Sequence, residues 1–192
     1  MRKIIVSEFV TLDGVMEAPG GEPSLGELTG WVFPHVHDDW LEYKRAEVSS
    51  ADAVLTGRVT YESFAEAWPT KPKEDELTAL MYTLPKYVVS TTLKEPLEWN
   101  NSHLIKGDVV EEVTRLKQQD GQAILVHGSG TLVQTLMQNS LVDEYRLMIF
   151  PVALGRGFHL FREGAAKLDL KLVDSQTFSN GVVVLSYEPA GS

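Results

Sequence analysis

Short runs of β-branched and aliphatic residues alternate along this chain with longer segments whose apolar positions recur at helical spacing. The short runs predict strands over residues 3–9, 53–56, 87–90, 124–127, 144–150 and 181–187, and the longer segments predict helices over 38–50, 60–67, 109–119 and 131–139. Most of the strand runs are apolar at nearly every position, as suits strands covered by helices on both faces. The alternation therefore predicts an α/β domain with a mainly parallel sheet. Towards the C-terminus the pattern changes: 151–157 is turn-rich, and 168–173 with 181–187 reads as a closing antiparallel pair, which finishes a sheet without another crossover helix. Residues 17–30 are polar and rich in glycine and proline, which predicts a mobile loop.

Two of the predicted strand-to-helix junctions contain glycine: Leu55-Thr56-Gly57-Arg58-Val59-Thr60 and Val126-His127-Gly128-Ser129-Gly130-Thr131. A helix start presents unpaired backbone N–H groups and a partial positive charge, and glycine lets an anionic oxygen approach the backbone. Ligands of parallel sheets sit beyond the C-terminal strand ends, where both junctions fall. Taken alone, the first turn reads equally well as a tight turn with Arg58 as a surface cation. Gly128, Ser129 and Gly130, lying between a buried-strand pattern and a helix, read better as a phosphate site than as a plain loop.

The 192 residues are read as one domain, 1–192. A net charge of -10 argues against nucleic acid as the main partner, because that binding depends on basic residues neutralising phosphates. No apolar run approaches the ~20 residues of a membrane span, and the N-terminal stretch is too short and strand-like for a signal peptide. With no cysteine in the chain, thiolate catalysis, disulfides and thiolate metal sites drop out, and a cytoplasmic location is expected.

Five stretches, in order, resemble a known family: Thr11-Leu12-Asp13-Gly14-Val15-Met16, Thr56-Gly57-Arg58-Val59-Thr60-Tyr61-Glu62, Val88-Val89-Ser90-Thr91, His127-Gly128-Ser129-Gly130-Thr131-Leu132, and Val142-Asp143-Glu144-Tyr145-Arg146 leading to Pro151-Val152-Ala153-Leu154-Gly155. The chain is similar to the dihydrofolate reductase-like superfamily, and within it to the reductase domain of bifunctional riboflavin-biosynthesis deaminase-reductases. The resemblance implies a three-layer α/β/α fold, with a mainly parallel mixed sheet and an antiparallel C-terminal edge hairpin. It also implies NADPH laid across the strand ends. Gly57, Arg58 and Thr60 would hold phosphates at one helix start, with Arg58 near the 2′-phosphate and Ser90 and Thr91 bonding the same region. Gly128, Ser129, Gly130 and Thr131 would cradle the pyrophosphate, and the Gly128-Ser129 peptide would be cis. The zinc-binding deaminase half of those bifunctional enzymes is absent from this chain.

Hydride transfer often needs a proton source. Asp13, closing the first strand beside the expected nicotinamide, is the first choice, ahead of Glu17, His35, His37, Asp38 and Asp39. Asp-Gly is also a common turn, and Asp38 or Asp39 also suits a helix start electrostatically. His35 and His37 lack a third ligand at a convincing spacing, so no metal is assigned. Trp31, Phe33 and Trp40 read first as core or lid residues and second as walls of a heterocycle pocket.

The leading reading is an NADPH-dependent reductase of a heterocyclic or ribosylamine substrate, of the 5-amino-6-(5-phosphoribosylamino)uracil type. Alternatives are a dihydrofolate or pteridine reductase and a non-catalytic NADPH-binding regulatory module. By resemblance the protein is expected to be a homodimer, with 146–150 as a sheet edge available for pairing.

Overall fold

In the computed structural model, which describes residues 1–191, the first strand lies inside the sheet. β1 (Lys3–Thr11) pairs in parallel with β5 (Ala123–Val126) on one side and β6 (Glu144–Phe150) on the other. Beyond β5 the sheet continues through β2 (Ala51–Gly57), β3 (Lys86–Val89) and β4 (Ser102–Ile105), all parallel. Beyond β6 it continues through β8 (Val183–Pro189) and β7 (Leu170–Thr177), each antiparallel to its neighbour. The order is β4-β3-β2-β5-β1-β6-β8-β7.

Strand alternation sends the side chains of β1 to two different cores. Ile4 and Val6 face Val113 and Leu116 of α4 (Val109–Gln118) and Val133 and Leu136 of α5 (Gly130–Gln138). Ile5 faces the opposite layer, with Val48 of α1 (Asp38–Ser49), Tyr61 of α2 (Arg58–Ala67) and Met81 of α3 (Glu76–Thr83). A third cluster fills the space between α1 and the closing strands, where Trp40 and Phe150 pack with Trp31 and Phe178. The three-layer arrangement agrees with the expectation from sequence.

Several boundaries differ. The sequence reading lacks α3 and β4. β4 is a four-residue edge strand in which only Ile105 is buried, so it has no apolar run to see. The first strand of the closing hairpin extends to Thr177, through Asp174, Ser175 and Gln176, because this outermost strand is exposed along most of its length and tolerates polar residues. The edge role expected for 146–150 is corrected: β6 is hydrogen-bonded on both sides, and β4 and β7 are the edges. The closing pair adds outside β6 and so covers it.

The polar loop 17–30 is docked. Leu25 and Ala18 bury with Val15, Trp31 donates its indole N–H to the Glu17 carbonyl at 2.8 Å, and Ser63 of α2 donates to the Glu22 carboxylate at 3.0 Å.

Candidate functional site

β2 ends at Gly57, the N-cap of α2, and β5 leads through His127 and Gly128 to Ser129, the N-cap of α5. Because β2 and β5 are parallel neighbours, the two turns meet: Gly57 N–H donates to the Gly128 carbonyl at 3.0 Å. A Cβ on Gly57 would lie 2.1 Å from Ser129 Oγ, one on Gly128 would lie 2.8 Å from Thr60 Oγ1, and one on Gly130 would lie 2.4 Å from the Phe158 ring. Gly57 and Gly128 are therefore favoured by the packing of one turn against the other, and Gly130 by the Phe158 ring, whatever ligand approaches. Gly128 also has φ of +82°, and its peptide bond to Ser129 is cis, as the resemblance implied.

The two helix starts are left bare. Neither α2 nor α5 has a side-chain cap or an acidic residue in its first turn. The other three α-helices differ: Asp75 caps α3, Asp108 caps α4, and α1 begins with Asp38 and Asp39. Unspent N–H groups and two helix dipoles thus converge on one place, which favours an anion.

Around this cradle the structure brings together Gly57, Arg58, Gly128, Ser129, Gly130 and Thr131. Arg58 is exposed and donates to Glu62 of its own helix at 2.8 Å. Thr131 is exposed on the first turn of α5. Thr60 is turned against Gly128, on the flank of the turn. The register Gly57↔Val89 sets Ser90 level with Arg58 on the adjacent strand end. Ser90 Oγ accepts the N–H groups of Thr92 and Leu93 at 3.1 and 3.0 Å, so it shapes its own loop, while Thr91 is exposed.

Asp13 has a different task from the one expected of it. Its carboxylate accepts the Thr11 hydroxyl at 2.5 Å and the N–H groups of Gly155 at 2.7 Å and Leu154 at 3.1 Å. The Thr11 bond first, joined by those backbone donors and working against burial, holds its carboxyl below the usual range. A group ionised in this way has no proton to give near neutrality; it ties the end of β1 to the loop after β6. Two of the other acids named from sequence are also engaged: Glu17 accepts the Phe158 N–H at 2.8 Å, and Asp39 accepts from Ser179 and contacts His37.

The structure adds residues that the sequence does not assign to the site. On the α1 face of β1, Lys44 donates to Ser7 Oγ at 2.9 Å and to Glu47, and Ser7 donates to Glu47 at 2.9 Å. Burial pushes the Glu47 carboxyl up, but Lys44 and these bonds outweigh it and hold Glu47 below its ordinary value. His127 joins this group through its Nδ1, 3.1 Å from the Ser7 carbonyl. Burial, then Lys44, pushes His127 down to about 4, so the ring is neutral and Nδ1 donates. On the opposite face, Glu8 lies buried beneath the Gly128 turn. One signal is visible in the sequence: Ser7 and Glu8 interrupt the apolar run from Ile4 to Val10, a costly placement unless the groups are used.

Among the described residues, no helix is long and apolar enough to cross a membrane. Comparison with known proteins agrees with this fold. Over 189 residues the chain is 33% identical to the uncharacterized protein YyaP of Bacillus subtilis, covering 97% of this chain and 94% of that protein. A second Bacillus subtilis protein, the uncharacterized YwjB, is 26% identical over 191 residues, with 94% and 95% coverage. Among solved structures, a putative riboflavin biosynthesis protein from Shewanella sp. PV-4 superimposes with a TM-score of 0.69 at 22% identity, covering 97% of this chain and 98% of that one. The diaminohydroxyphosphoribosylaminopyrimidine deaminase/5-amino-6-(5-phosphoribosylamino)uracil reductase of Thermotoga maritima superimposes at 0.66 and 14% identity, and there this chain covers 57% of the longer protein's length. Both structural likenesses establish the fold. The sequence profile of the RibD C-terminal domain matches residues 2–184, which take in both glycine turns and every strand that frames them, and the chain belongs to that riboflavin-biosynthesis reductase-like family.

Proposed function

We propose that this protein is an NADPH-dependent reductase acting on a heterocyclic or ribosylamine substrate of the 5-amino-6-(5-phosphoribosylamino)uracil type. The observation that carries this reading is the pair of joined, uncapped helix starts at Gly57 and Ser129, which offer two sets of backbone donors to one extended anion. Such a surface fits a dinucleotide better than a single phosphate. The N–H groups at the start of α5 would hold the pyrophosphate, those of α2 the adenosine end, and Arg58 would exchange Glu62 for the 2′-phosphate. NADPH, when bound, supplies a hydride to an electrophilic carbon of the substrate. Asp13 keeps the end of β1 joined to the loop after β6, fixing the wall on which the nicotinamide end would rest.

One observation favours the second reading, a module that binds NADPH without turnover. Asp13, Glu17 and Asp39, the carboxylates best placed as acids, are each held by hydrogen bonds within the protein.

Fluorescence titration with NADPH and NADH, on the wild type and Arg58→Ala, tests the cofactor. NADPH binding that weakens selectively in the variant supports the reading, and failure to bind either nucleotide overturns it. Mixing NADPH with 5-amino-6-(5-phosphoribosylamino)uracil then separates the enzyme from the module: stoichiometric oxidation of NADPH marks the reductase. Inhibition of turnover by an antifolate would point instead to a pterin substrate.

A further inference from the structure

Directly beneath the cradle, β1 places a carboxyl group that forms no ion pair with any cation among the described residues. Glu8 shares the face of Val6 and Val10, and its side chain is almost wholly buried. The Gly128 N–H lies near enough to favour its ionised form, whereas its Oε1 has no hydrogen-bond partner. That oxygen lies 3.8 Å from the place a Cβ would occupy on Gly128, on the flank where Thr60 Oγ1 also sits. Helix α5, which covers this face, carries no charged residue at all. The charges that reach Glu8 come from α1 on the other face, where Lys44 lowers and Glu47 raises its proton affinity; His127, next to Gly128, is neutral. Burial dominates and pushes the Glu8 carboxyl up to about 8.

A buried acid that contacts the backbone of an anion-binding turn has two distinct states. Protonated, it lies against the Gly128 turn without adding charge under the site. Ionised, it places a negative charge in a poorly screened interior next to the position an incoming phosphate would take. We propose that Glu8 is a positioning residue for the Gly128 turn, and that its buried carboxyl must carry its proton for the cradle to accept the phosphates of the cofactor. This inference rests on the NADPH reading above and adds to it a proton-linked control of cofactor affinity.

The sign follows from linkage. Below pH 8 the carboxyl is already protonated, and NADPH affinity is insensitive to this group. Above it, each bound cofactor must take up a proton, so the dissociation constant rises by up to about tenfold per pH unit. Lys86 also titrates near 8 because burial lowers it, but it begins β3 at the opposite end of that strand from the cradle.

The test is NADPH titration from pH 6.5 to 9.5 on the wild type and Glu8→Gln, with calorimetry in buffers of different ionisation enthalpy. The wild type is expected to bind uniformly up to about pH 7.5, to weaken about tenfold by pH 9, and to take up close to one proton per NADPH at that pH. Glu8→Gln, which keeps the shape of the side chain and cannot ionise, is expected to bind at pH 7 and to stay flat to pH 9. Parallel profiles for the two proteins overturn the proposal. The proton count needs only the wild type, so it decides the matter even if the variant fails to fold: binding at pH 9 without proton uptake overturns it. Absence of NADPH binding at pH 7 removes the cofactor reading, and this inference with it.

Discussion

Helices α4 and α5 pack on the same face of the sheet and have ten and nine residues, yet their first turns are built for opposite purposes. In α4, Asp108 accepts the Glu111 N–H at 3.0 Å, Glu111 and Glu112 follow in the first turn, and Arg115 and Lys117 occupy the last. Every charge complements the helix dipole. In α5, Ser129 makes no cap, the first turn has no acid, and the last turn has no base. Its stability comes instead from burying Leu132, Val133 and Leu136. The difference separates a helix that satisfies its own terminus from one that leaves the terminus to a ligand, and α2 falls with α5. A missing cap forgoes about 1 kcal/mol, and local stability left unused at two adjacent helix starts is what a binding site is expected to show.

The strongest way to break the comparison is to force the two bare termini apart. A Cβ on Gly57 meets Ser129 Oγ at 2.1 Å and Ser129 N and Cβ at 3.1 and 3.2 Å, so Gly57→Ala separates the turns. We expect a loss of about 1–3 kcal/mol in denaturant unfolding, the usual range for overpacking, with NADPH affinity falling at least about a hundredfold, equivalent to ~2.7 kcal/mol. Adding Ser129→Ala removes the worst contact and is expected to recover part of both losses. Gly57→Ala with unchanged binding would show that the two turns do not act as one site.

Next in size is Arg58→Ala. A charge-assisted bond to a 2′-phosphate contributes ~1.5–3 kcal/mol, so NADPH binding should weaken roughly tenfold to a hundredfold while NADH binding stays level. Equal weakening of both nucleotides would move Arg58 from the 2′-phosphate to a shared part of the cofactor. A smaller effect comes from making α5 resemble α4. Thr131 is exposed, so Thr131→Glu adds an acid to the first turn without a clash. Thermal unfolding should show a gain of about 0.3–1 kcal/mol, and NADPH titration a loss of about tenfold. Stability and binding moving in opposite directions is the signature that a terminus is reserved for an anion.

The same contrast explains what could be read from the sequence. The glycine turns were legible because Gly57 and Gly128 each lie between an apolar strand and a helix, a local pattern. That both turns form one cradle depends on β2 and β5 being neighbours, a property of strand order that no local pattern contains. The five matching stretches supplied it only through resemblance. β4 and the polar half of β7 were missed because edge strands need no apolar alternation, and the edge role given to 146–150 failed because residues far along the chain cover β6. Asp13 is legible in the sequence at the end of the first strand, but its hydrogen bonds to Leu154 and Gly155 span 141 and 142 positions of sequence, and only the fold shows them. Glu8 stood in plain view as a charged residue in a buried strand, but its meaning depends on lying under Gly128, which only the fold provides.

The smallest expected effect is the control on which the comparison depends. Asp108→Ala removes the α4 cap by deleting the acceptor for the Glu111 N–H. Cap removal costs about 0.5–2 kcal/mol, and this one belongs near the lower end, because the bond is exposed and Glu111 and Glu112 still face the helix start. NADPH affinity should not change, since α4 follows β4, the edge strand, and contributes no residue to the joined turns at Gly57 and Gly128. Equilibrium unfolding and nucleotide titration on the same preparation measure both quantities. A loss of NADPH affinity in Asp108→Ala comparable to that of Thr131→Glu would show that any perturbed helix start on this face lowers binding, and the distinction between a terminus kept for the protein and one kept for a ligand would fail.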